Sequence, residues 1–169
     1  MDLLTKINRT RFLGPEFLLW LWHRSAIQEG IFEGVGESFE LYFDTRLVLE
    51  SPGEIREQSV IKSESPTETP EARESLKTGK LPMEAKLRLV IGQNQWTTTF
   101  KAEALQLSGT KVPDLLSQGT EENIIERLHL MEELEGVLEA LYRGFIDIRL
   151  DDQAWGEQVK ILRDWVARV

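Results

Sequence analysis

The chain alternates between two periods of apolar residues, and the switch between them maps its elements. Phe17 to Trp22 is an unbroken apolar run. It is preceded by Gly14-Pro15-Glu16, which places a proline at a first helical position and an acid near the positive end of the helix dipole. The spacing predicts a helix from Pro15 to about Gln28, stopped by Gly30 and buried on more than one side. Upstream, Leu3, Leu4, Ile7 and Phe12-Leu13 have a weaker helical spacing, so residues 1 to 13 read as a short helix or an arm.

After the glycines at 30, 34 and 36 the period becomes two. Phe39, Leu41 and Phe43 alternate with Glu40, Tyr42 and Asp44, and Leu47 and Leu49 repeat the pattern. Asp44-Thr45 suits a hairpin turn between two strands, and Pro52-Gly53 suits a second turn before a strand from about Ile55 to Lys62. Ser63 to Thr69 reads as an exposed loop, and Thr69-Pro70-Glu71 as the cap of a short helix ending at Gly79. From Met83, apolar Ala85, Leu87, Leu89 and Ile91 alternate with Glu84, Lys86 and Arg88. Gly92-Gln93-Asn94 then turns the chain into a strand carrying Trp96, Thr98 and Phe100, and Leu105 with Leu107 marks one more short strand.

The helical period returns at the end. Thr120 with Asn123 forms an imperfect capping box ahead of Ile124, Leu128, Met131, Leu134, Leu138, Leu141 and Phe145. A last helix begins after Asp151-Asp152, with Trp155, Val159, Leu162 and Trp165-Val166 inward. Together these predict a single α+β domain over 1–169: an antiparallel meander packed with a Trp-rich N-terminal helix, a short middle helix and two C-terminal helices.

Composition narrows the function classes. The 169 residues are 41% hydrophobic and 29% charged, an ordinary globular mixture with no cysteine for disulfides, thiolate chemistry or cysteine-bound metals. The apolar run at Phe17 is far short of the roughly 20 residues that span a bilayer. No secretory signal follows Lys6, Arg9 and Arg11, so the expectation is a cytoplasmic protein with no membrane role. The net charge is -9. It is unevenly spread: residues 77–101 hold Lys77, Lys80, Lys86, Arg88 and Lys101 against Glu84 alone.

Candidate chemistry is sparse. Gly79-Lys80 lacks the glycine-rich loop and the following Ser or Thr of a phosphate-binding loop, and reads as a helix end. His129 lies near Glu126, Glu132 and Glu133 but without a ligand spacing, and flanks a helix stripe; His23 reads as a helix-end or interface residue. Asp147, Asp151 and Asp152 suit helix capping better than a divalent cation. Trp20, Trp22, Trp96, Trp155 and Trp165 occupy positions expected to face a core or a subunit contact rather than bases. No catalytic residue, metal site or cofactor is expected, and the protein is read as a non-enzyme.

The order of elements carries a resemblance. The Trp-bearing helix ending in His23-Arg24-Ser25, then Gly30-Ile31-Phe32, the strand into Val60-Ile61-Lys62, the helix closing at Lys77-Thr78-Gly79-Lys80, Ala85 to Leu89, and Trp96 to Lys101 together resemble the C-terminal half of the bacterial recombination-associated RdgC family. The likeness covers most of residues 14 to 150, and the family's N-terminal half has no counterpart in these residues. Members of that family form ring-shaped dimers that bind duplex DNA through a basic central hole with little sequence preference, and restrain loading of the RecA recombinase. The resemblance implies a homo-oligomer that contacts duplex DNA electrostatically, linked to recombination. Lys62, Lys77, Lys80, Lys86, Arg88 and Lys101 are the expected DNA-binding residues. Ser63, Glu64 and Ser65 follow Lys62 where family members carry a basic loop. The alternative expectation is a protein-interaction domain on the same scaffold, binding a partner through its acidic helices after loss of DNA contact.

Overall fold

The computed structural model describes residues 13–34 and 36–169. The reading of residues 1 to 12 therefore lies outside the described residues. The chain begins with helix α1 (Leu13–Ile27) and continues through β1 (Ile31–Glu33), β2 (Ser38–Glu50) and β3 (Gln58–Lys62). Next come a 3-10 turn (Pro66–Glu68), helix α2 (Pro70–Lys77), and the strands β4 (Leu81–Ile91), β5 (Asn94–Lys101) and β6 (Gln106–Lys111). Helices α3 (Thr120–Leu150) and α4 (Asp152–Arg168) complete it. The class is α+β, with an antiparallel sheet ordered β1-β2-β4-β5-β6 and β3 paired to β2.

The long strand β2 organises the sheet. One of its edges pairs with β4 from Glu40↔Val90 to Glu50↔Leu81. The other is shared by β1, at Ile31↔Glu40 to Glu33↔Ser38, and by β3, at Arg46↔Lys62 to Glu50↔Gln58. The expected hairpin at Asp44-Thr45 does not form. The register steps from Asp44↔Lys86 directly to Leu47↔Ala85, so Thr45 and Arg46 are absorbed as a bulge and both apolar halves stay on one strand. The short β1 was not anticipated. The exposed loop expected at Ser63 to Thr69 contains the 3-10 turn, in which Pro66 is buried.

Helix ends follow local chemistry. Thr69 Oγ1 accepts the Ala72 N–H at 3.2 Å to open α2, and an Asp151 carboxylate oxygen accepts the Ala154 N–H at 2.9 Å to open α4. Thr120 is not a cap: the N-cap of α3 is Gly119, with no side-chain hydrogen bond. The loop before that helix is instead tied by Glu126, whose carboxylate accepts from Leu116 N at 2.7 Å, Ser117 N at 2.8 Å and the Ser117 hydroxyl.

The core lies between one sheet face and the helices. Strand pairs Leu41↔Leu89, Phe43↔Leu87, Leu87↔Thr98, Leu89↔Trp96 and Ala85↔Phe100 put a buried apolar surface on that face, with Thr98 its one polar member. Phe17 of α1 meets Phe100 edge-on, Trp22 packs on Phe43, and Trp165 of α4 packs on Trp22. Trp96 is fully buried and its indole N–H donates to the Leu130 carbonyl at 2.9 Å, fixing α3 to the sheet. Gly14 is required where α1 starts, because a Cβ there would lie 1.9 Å from the Ala102 carbonyl oxygen. Among the described residues, no helix is long and apolar enough to cross a membrane.

Candidate nucleic-acid interface

Alternation puts the polar residues of the same strands on the opposite face of the sheet. Cross-strand register then sorts them into rows. One row runs Tyr42, Arg88, Thr97, Lys111; the next Asp44, Lys86, Thr99, Ser108; and a third Val48, Glu84, Lys101, Gln106. At the bulge, Arg46 stands opposite Lys62. Strands spaced about 4.8 Å apart spread this set over roughly 19 Å from β3 to β6.

Four of the six expected DNA-binding residues meet here: Lys62, Lys86, Arg88 and Lys101. The other two do not. Lys80 donates to Ser59 Oγ at 2.9 Å, and Ser59 stands opposite Leu49, whose side chain points into the core; Lys77 borders a cleft against Leu19 of α1 and Trp155, Val159 and Leu162 of α4. Both lysines therefore belong to the helix side. The continuous basic stretch seen in the sequence is divided because it begins in α2 and the turn after it, and only the residues of β4 and β5 alternate onto the polar face.

Arg46 and Lys111 join the polar face and were missed. Arg46 was hidden by the hairpin turn expected at Asp44-Thr45, which ended the strand just before it, and Lys111 by the extension of β6 beyond Leu107. Their sign and odd-even position relative to neighbours were legible once the strand lengths were known.

The three rows and the bulge pair together hold six cations around the carboxylates of Asp44 and Glu84. Arg46 Nε pairs with Glu84 at 2.9 Å, and Lys86 Nζ lies 3.7 Å from Asp44. Arg88 stacks over the Tyr42 ring, 5.2 Å from its centroid, an arrangement that holds the guanidinium in place without neutralising it. The Tyr42 hydroxyl donates to Glu40 at 2.8 Å, and that bond to a carboxylate is the main reason its pKa is raised. Lys62, Lys101 and Lys111 are exposed. Glu40 and Glu50 mark the two ends of the β2 row, so the excess of positive charge is confined to the middle of the face.

The residues weighed for other chemistry, and read from the sequence as structural, occupy the following positions. His129 Nδ1 lies 3.6 Å from Glu132 on the exposed surface of α3. His23 is buried against Trp165, with ring centroids 5.3 Å apart, and its pKa is lowered first by burial and then by Arg24. The Asp151 carboxylate caps α4. Trp20, Trp22 and Trp96 are buried, and Trp155 and Trp165 are half-buried against the same core. A cleft of about 430 Å³ opens where β2 has no partner between β1 and β3, bordered by Trp22, Ser25, Tyr42, Arg73, Arg88 and Trp165. Among the described residues, no three His, Cys, Asp or Glu side chains are grouped to hold a metal ion.

No protein-family model matches this chain, and neither the curated proteins nor the solved structures contain a match to it.

Proposed function

We propose that the protein is a non-enzymatic, RdgC-like module that contacts the phosphates of duplex DNA through the polar face of its sheet. The observation that supports this reading is the register that aligns Arg46, Lys62, Lys86, Arg88, Lys101 and Lys111 on one face of an otherwise acidic chain. Phosphate contact needs positive charge and reach rather than base-specific geometry, and long basic side chains on a strand face supply both. Screening acts over about 8 Å at physiological salt, so acidic helices on the far side of the sheet do not cancel this field. A role linked to recombination and a homo-oligomeric assembly belong to the same proposal.

Binding of a labelled duplex, followed by fluorescence anisotropy at low ionic strength, tests it. Affinity should fall log-linearly with salt, with a slope of about 0.9 per phosphate neutralised. Lys86→Glu with Arg88→Glu should abolish binding, whereas Lys77→Glu with Lys80→Glu should leave it within about twofold. Equal affinity in the first double variant and the parent would refute the assignment.

A second reading is favoured by a different surface. Leu116 is 89% exposed, and Ile125 of α3 is exposed among Glu121, Glu122, Glu132 and Glu133. A protein partner binding there would require no positive face. Absence of any duplex binding at low salt, together with a stoichiometric complex lost on Ile125→Glu, would establish this reading over the first.

A further inference from the structure

The edge of β2 is interrupted between β1 and β3. On that edge the Leu41 N–H donates to the Gly30 carbonyl at 2.8 Å, the Leu41 carbonyl accepts the Ser25 hydroxyl at 3.0 Å, and the Thr45 carbonyl accepts the Ser63 N–H at 3.3 Å. Odd-numbered residues of β2 therefore turn their backbone groups toward β1 and β3. Phe43 lies between Leu41 and Thr45, and neither β1 nor β3 has a residue opposite it. It is 6% exposed, and a backbone donor and acceptor left unpaired at such a depth cost stability. Phe43 lines the cleft of about 430 Å³ that opens at this interruption. That volume falls within the roughly 300–1,000 Å³ of small-molecule pockets.

The rest of the lining selects a ligand. Arg88 Nε is closed off from solvent and has no hydrogen-bond partner among the described residues, while Tyr42 holds the guanidinium in place. A residue facing Phe43 across the edge would project its side chain to the same side as the Phe43 ring. Trp22 and Trp165, packed edge-on to each other, wall the cleft there. Arg73 adds a second guanidinium, but Glu29, Glu64 and Glu68 are exposed along the same cleft. The charge is mixed, so a simple phosphate or sulfate is poorly matched.

We infer that this cleft binds an apolar amino-acid residue bearing a free carboxylate, supplied as a free amino acid or as the last residue of a peptide. The ligand N–H donates to the Phe43 carbonyl, one carboxylate oxygen accepts from the Phe43 N–H, and the other accepts from Arg88. The apolar side chain lies against Trp22 and Trp165. This reproduces one residue of an antiparallel ladder, and one residue is all the interruption admits, because Gly30 and Ser63 already stand opposite Leu41 and Thr45. The inference does not rest on contact with DNA.

Titration of the full chain with N-acetyl-L-phenylalanine, followed by amide and indole NMR, tests it. Saturable shifts are expected at Phe43 and at the Trp165 indole, with slower exchange of the Phe43 amide. N-acetyl-L-phenylalaninamide and N-acetylglycine should each bind at least about tenfold more weakly, since one lacks the carboxylate and the other the apolar side chain. Arg88→Gln should weaken binding about tenfold, whereas Lys160→Gln, at an exposed position of α4, should leave it within about twofold. L-phenylalanine separates the two sources: binding tighter than that of the acetylated form supports a free amino acid, and weaker binding supports a peptide end. No saturable shift at about 10 mM probe, equal affinity for the amide, or shifts centred away from Phe43 would each overturn the inference.

Discussion

His23 illustrates how a single residue ties stability to pH. It is 6% exposed, packed on Trp165, and its neutral form is favoured by burial and by Arg24. A folded pKa below the ordinary imidazole value of 6.5 means that the unfolded chain takes up the proton first as pH falls. The stabilising contribution is therefore complete above about pH 6.5 and is lost progressively below it, down through the folded pKa. Urea midpoints measured between pH 7.5 and 5 should decline in the parent. In His23→Gln, the part of that decline starting near pH 6.5 should disappear; an unchanged profile would show that other groups cause it. Glu126 acts in the same direction at lower pH. Hydrogen bonds from Leu116 N, the Ser117 hydroxyl and Ser117 N hold its pKa below the usual value, so its tie to the loop is present above about pH 4.5 and weakens as pH falls. Glu126→Gln should speed amide exchange at Leu116 and Ser117 while leaving the exchange of β4 amides unchanged.

At the scale of elements, the link between sheet and long helix depends heavily on Trp96. Its side chain is fully buried and donates to Leu130, in the first half of α3. Trp96→Ala should cost about 3–5 kcal/mol through the cavity it leaves, and Trp96→Phe about 1–3 kcal/mol through lost volume and the lost hydrogen bond. Equilibrium denaturation of both variants checks the order. Most elements were legible because their periodicity was strong: α1, α2, β4, β5 and α4 lie where apolar spacing, capping residues and glycine stops agree. The exceptions have local causes. Asp44-Thr45 has turn chemistry, but apolar residues on both sides pair with the same strand, and a bulge satisfies that pairing without reversing the chain. The stripe of α3 was read as one sustained apolar row from Ile124 to Phe145, and its first part, Ile124 and Leu128, is exposed. Periodicity gives the direction of a face but not the extent of what covers it.

For the whole molecule, the decisive property is which of the charges the fold brings to the polar face of the sheet. The sequence shows a basic stretch at 77–101, but it runs through a helix end, a turn and two strands, and only the fold assigns each charge to a side. Lys86, Arg88 and Lys101 were legible as one face because they alternate with core residues of a hairpin. Lys77 and Lys80 could not be separated from them by spacing, and Arg46 joins them through a long-range pairing with Lys62. The central claim is that this face holds duplex DNA. Its most direct measurement is backbone-amide NMR of the full chain titrated with a short duplex at low salt. The account predicts saturable shifts centred on Arg46, Lys62, Lys86, Arg88, Lys101 and Lys111, reversed by added salt, with α4 and Lys77 unaffected. Shifts centred on the helix layer, or no saturable shift at low salt, would contradict it.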